Sequence, residues 1–187
     1  MPQEKAKNLR DLLVMKLQTL YYGEQQFDKG LTKMIEAASD EDLKAILQSH
    51  LEETKDQSQR LVEAFDELDA KAEPLESDAI DGLVSDAQWC IDNIKNPQVL
   101  DASLIAAAQY VEHHEIAGYG SAATWAEQLE EFEVKEILGE ILDEEKAADE
   151  KLSGLALAKI NEEAADDEVD EVIVEERFIG RLDPGTV

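Results

Sequence analysis

Four stretches of this chain place acids where an amphipathic helix needs apolar residues. Glu24 falls in the series Leu17, Leu20, Glu24, Phe27, Leu31. His50 and Glu53 fall in Leu43, Ile46, His50, Glu53, Gln57, Leu61. Glu112 and Glu115 fall in Ile105, Ala108, Glu112, Glu115, Tyr119, and Glu145 and Asp149 in Leu138, Ile141, Glu145, Asp149, Leu152. Each series steps by three or four residues, which marks one face of an α-helix. An ionised carboxylate buried without a partner is costly, and six gathered around one point should prevent folding. The pattern therefore demands a cation among the acids. Two divalent metal ions inside a helix bundle meet that demand.

The rest of the sequence favours such a bundle. Its 187 residues suit one domain with a sizeable core plus a tail. Proline and glycine are scarce, at 4 and 9, while Ala, Leu, Glu and Lys abound, a mixture that favours helix over sheet. The periodicity predicts long helices over about 4–38, 41–70, 98–128 and 131–163, and a shorter one over 77–94. Ser39 or Asp40 can cap the second helix and Ser77 the short one. Breaks fall at Pro74 and at Asn96–Pro97. At 1.5 Å per residue, a helix of about 30 residues is about 45 Å long, a bundle length. The expected architecture is all-α: residues 1–163 form a four-helix bundle with one short crossing helix. Residues 164–187 form an acidic tail with a short strand or docking segment at Val172–Ile179.

Charge excludes several functions. With 45 acidic and 17 basic residues the net charge is −28. Such a surface repels nucleic-acid phosphates and anionic lipid heads. No uncharged run approaches the ~18–20 residues of a membrane span. The start lacks the apolar segment of a secretory signal, and Cys90 alone cannot form an intramolecular disulfide. The expected location is the cytoplasm. Cys90 reads as a small buried apolar residue, and Trp89 and Trp125 as core or interface anchors.

The ligand chemistry follows from spacing. Residues at i and i+3 or i+4 lie side by side on a helix. His50 with Glu53 can offer a nitrogen and a carboxylate, and Glu112 with Glu115 can bridge and chelate. Oxygen-rich ligation with one imidazole suits iron or manganese better than zinc or copper. The candidate ligands are Glu24, His50, Glu53, Glu112, Glu115, Glu145 and Asp149. Tyr21 and Tyr119 are placed to hydrogen-bond a ligand carboxylate. His113 and His114 flank the stripe and read as surface or rim residues.

The segments LYYGEQQF, HLEETKDQ, AAQYVEHHEIAGYGS and DEEKAADEKL resemble the YciE/YciF-type stress proteins of the ferritin-like superfamily. The resemblance covers about 5–163, and its most specific part is VEHHEIAGYG. It implies a ferritin-like four-helix bundle, a di-metal centre on the seven residues named above, and a homodimer. The pair Glu112 and Glu115 also looks like the third-helix pair of rubrerythrins. Ferritin-like di-iron proteins carry Glu-x-x-His on two helices. Here the second helix reads His50-x-x-Glu53, and Glu145 is followed by Ala148 and Asp149, so one histidine is missing. The reading is a di-iron or di-manganese carboxylate protein acting on oxygen or peroxide. The alternative is a stress-linked binding or structural dimer without turnover.

Overall fold

Short polar side chains set the start of three of the four long helices. Asn8 caps α1 (Leu9–Ala37) by accepting from the Asp11 amide. Asp40 caps α2 (Glu41–Glu67) and accepts from the amides of Asp42 and Leu43. Asn96 caps α4 (Pro97–Gln128), whose first residue is a proline that has no amide to satisfy. Between α2 and α4 lies α3 (Asp78–Asn93), whose cap position Ser77 makes no side-chain cap bond. The last long helix, α5 (Phe132–Leu155), runs on through a π-helical segment, Ala156–Ile160. The computed structural model describes residues 6–166, and all their regular structure is helical. The expectations for 167–187, including the docking segment at Val172–Ile179, lie outside the described residues.

Tight turns pair the helices into hairpins. The α1–α2 turn is tied to α4 by Asp101, which is buried. Its carboxylate accepts from the Ser39 amide at 2.8 Å, the Asp40 amide at 2.9 Å and the Ser39 hydroxyl. The α4–α5 turn passes through Glu130 at φ 61°, the left-handed region. In cross-section α1 packs on α2, α2 on α5, α5 on α4 and α4 on α1. The crossing helix α3 lies against α1 and α4. The α1–α4 contact is close at Gly118, where an added Cβ would lie 2.7 Å from Leu20. No helix among the described residues is long and apolar enough to cross a membrane.

The core is split in two. One cluster, with Leu43, Leu47, Leu104 and Ile105, fills the end capped by Asp101. The other, with Leu13, Leu17, Phe65, Leu138 and Ile141, fills the opposite end. Cys90 is buried in the first, as expected, and Trp125 packs on the second. Trp89 is 60% exposed and belongs to neither. Between the clusters lies a layer of buried polar side chains from all four long helices.

Candidate metal centre

Helical periodicity turns one residue or pair per helix into that layer. Glu24 of α1, His50 of α2, Glu112 and Glu115 of α4, and Glu145 of α5 are all buried, Glu145 at 0% exposure. His50, Glu112, Glu115 and Glu145 each offer a ligand atom, and these lie within 4.8 Å of one another. His50 Nε2 stands 3.1 Å from Glu112 Oε1 and 4.0 Å from Glu145 Oε2. Its alignment with Glu112 is not that of a hydrogen bond, so the contact is one of charge and proximity. Glu24 closes the layer from α1, and the Tyr119 hydroxyl donates to its Oε1.

The layer is under-satisfied. Glu24 Oε2, both oxygens of Glu112, Glu115 Oε1, Glu145 Oε2 and both nitrogens of His50 are buried without a hydrogen-bond partner. Native interiors leave few polar atoms in that state, and ionised ones cost several kcal/mol each. The carboxyls respond by holding protons. Burial, then the neighbouring Glu145, pushes Glu24 up to about 8. Burial and the adjoining carboxyls push Glu112 and Glu115 well above the ordinary carboxylate range, and burial raises Glu145 as well. Tyr119 is raised by the same burial and by Glu24. Without a cation, burial favours the protonated form of these carboxyls. His50, Glu112, Glu115 and Glu145 could together hold a cation. Four carboxylates, one imidazole and no thiol form a donor set suited to iron or manganese.

The two remaining candidates stand outside this layer. Glu53 is half-buried behind His50, its Oε2 at 3.6 Å from Nδ1, and its Oε1 at 3.6 Å from Lys151 Nζ. His50, first among several partners, holds the Glu53 carboxyl below its ordinary value. A carboxylate on the far nitrogen of a ligand histidine fixes the ring's orientation. Asp149 lies on the α4–α5 seam, where Gln109 donates to it at 2.9 Å and His113 Nε2 stands 3.6 Å away. The buried residue one turn beyond Glu145 is Ala148. His113 is largely exposed and His114 half-buried, as their flanking positions imply.

Gln57 is a site residue that the spacing argument missed. It is fully buried, and its amide donates to Glu145 and, at 3.1 Å, to Glu144 Oε2. Glu144 is held in turn by the Arg60 guanidinium. Arg60, Glu144 and Gln57 thus hold Glu145 in place from the α2–α5 face. The available signal was the position of Gln57 on the apolar stripe, one turn before Leu61. Tyr119 is bonded to Glu24 as its spacing allowed, whereas Tyr21 packs edge-on against Phe65, with ring centroids 6.1 Å apart.

Four antiparallel helices, a buried acidic layer at mid-length and a crossing helix define a ferritin-like bundle. The chain belongs to the family described as a domain of unknown function, DUF892, which matches residues 8–165. It is 40% identical over 159 residues to protein YciF of Escherichia coli (strain K12), covering 84% of this chain and 96% of that one. The crystal structure of that E. coli stress protein superposes with a TM-score of 0.80, over 83% of this chain and 99% of YciF. YcfI from Rhodopseudomonas palustris matches at a TM-score of 0.79 and 43% identity, over 82% of this chain and 98% of YcfI. A dodecameric thioferritin, the bacterioferritin-related protein from Bacteroides fragilis, matches at a TM-score of 0.62 and 17% identity, over 82% and 90% of the two chains. At that identity the likeness is one of fold alone.

Proposed function

We propose that the buried layer holds two divalent cations, iron or manganese, and uses them on dioxygen or hydrogen peroxide. The observation that carries this reading is the set of orphaned atoms on Glu24, His50, Glu112, Glu115 and Glu145. Charge sets the number of ions. Glu24, Glu112, Glu115 and Glu145 carry four negative charges when ionised, which two divalent cations balance. His50 adds a nitrogen on one side, with the Glu53 carboxylate 3.6 Å from its other nitrogen. Gln57 and Tyr119 hold Glu145 and Glu24 in place. Asp149 is engaged on the seam by Gln109, so it stays outside the inner ligand set in this reading.

One electron from each ion is the chemistry such a pair supplies when bound; with two protons it converts dioxygen to hydrogen peroxide, or hydrogen peroxide to two waters. The protein's own contribution is a dry, preorganised layer. The ligating carboxyls are ionised when cations are bound, so the two protons enter from solvent. Self-association, as a homodimer, belongs to the same reading. Its support is the family resemblance and the dodecamer named for the Bacteroides relative. The stress role named for E. coli YciF suits a protein that consumes oxidants.

The test is ferrous titration in air. The protein should take up two ferrous ions per chain and oxidise them faster than buffer does, and Glu115→Ala should abolish the acceleration. No acceleration despite two bound ions would sink the redox reading and favour a metal-holding protein without turnover.

A further inference from the structure

Two routes of opposite character reach the buried layer. On the α1–α2 face a cleft of about 380 Å³ leads to Glu24 and Thr54 past Gln25, Asp28 and Ser58. Its mixed walls, which include Lys55 as well as Asp28, suit hydrated solutes. On the opposite side of α1, α3 roofs the seam with α4, and a second pocket lies beneath it. Its floor is His50 and Glu112. Its walls are Phe27 and Met34 of α1, Ala87 of α3 and Ala108 of α4, all buried and none polar. Gly30, Val84 and Val111 are only partly buried and form its mouth.

The pocket holds about 20 Å³ of space open to the centre of a water-sized molecule. That is room for one small molecule. A water there needs two or more polar partners. The floor nitrogens and oxygens of His50 and Glu112 are themselves buried, so they serve a water poorly whether or not a cation is bound. The pocket therefore suits an apolar diatomic better than water or peroxide. Gly30 lines the mouth without a side chain. Glycine weakens a helix interior, and a Cβ built at Gly30 meets no atom within 4 Å. A side chain would therefore enter open space.

We propose that this pocket is a binding site for one molecule of dioxygen, admitted past Gly30 to the His50–Glu112 edge of the metal centre. The assignment rests on the metal reading for its chemistry but not for its binding test. Crystals of the metal-free protein under xenon should show a xenon peak between Phe27, Ala87 and Ala108, and Gly30→Leu should remove it. In the ferrous-loaded protein, Gly30→Leu should slow oxidation by dioxygen about tenfold, and leave oxidation by hydrogen peroxide and the metal content unchanged. No xenon peak overturns the site whatever the iron does. A peak with both oxidants slowed alike, or neither slowed, overturns the delivery role. A peak in a protein that never oxidises iron sinks the redox reading and leaves the gas site standing.

Discussion

Manganese(II) at about 100 times its dissociation constant should raise the melting temperature of the metal-free protein by roughly 5–10 °C for each ion bound. An ion that binds the folded state alone stabilises it by mass action, by about 2.7 kcal/mol at that concentration. For a domain of this size each kcal/mol moves the midpoint by about 2–4 °C. Relief of the existing penalty, as the orphaned oxygens of Glu112, Glu115 and Glu145 gain a partner, lowers the dissociation constant and so the manganese concentration at which this shift is reached. Glu115→Gln separates this account from ordinary packing. It keeps the shape and removes one buried acid, so the metal-free variant should melt no lower than the parent at pH 8. The same variant should lose most of the metal-induced shift. A purely structural Glu115 would lower the metal-free midpoint and leave the response to metal intact. Calorimetry of the two proteins with manganese and with chelator reads both effects.

The metal-free protein should lose stability as pH rises from 5 to 8. Glu24 is pushed up to about 8, and Glu112, Glu115 and Glu145 are raised too, chiefly by burial. Between the ordinary carboxylate value and these raised values the folded chain holds more protons than the unfolded chain. Stability is then fully present below the ordinary value and falls as pH climbs toward the raised ones. Each retained proton costs about 1.4 kcal/mol per pH unit across that window. Glu112→Gln removes one such group and should flatten the slope. Metal should flatten it further above about pH 6, because bound carboxylates are already ionised. Surface acids, with a net charge of −28 behind them, would blur the reading at low salt. The measurement therefore belongs at moderate ionic strength. A metal-free protein that gains stability from pH 5 to 8 would contradict the buried-proton picture.

The helices and the polar layer were legible in the sequence because both follow from periodicity. Glu24, His50, Glu112, Glu115 and Glu145 lie on stripes whose apolar neighbours fix the buried face. The flanking ligands were harder to choose. At 3.6 residues per turn, i+3 and i+4 lie about 60° and about 40° to either side of residue i. Both are compatible with one stripe. After His50 the packing buries Thr54 and leaves Glu53 half-exposed; after Glu145 it buries Ala148 and leaves Asp149 on the seam. The α2–α5 and α4–α5 contacts decide these cases, and a single helix carries no record of its neighbours. Gln57 was missed for a related reason. An amide on an apolar stripe resembles the edge of the stripe until Glu144 and Glu145 are seen to meet it. The apolar pocket at Gly30 is a property of three helices at once, and nothing local announces it.

Metal ions, in the proposed function, sit where the acids converge. Crystals grown with ferrous or manganous salt, measured at the iron and manganese absorption edges, test it most directly. Two anomalous peaks should appear within the layer, ligated by Glu24, His50, Glu112, Glu115 and Glu145. Density that shows only protonated, mutually hydrogen-bonded carboxyls, with no anomalous peak in the layer, would contradict it.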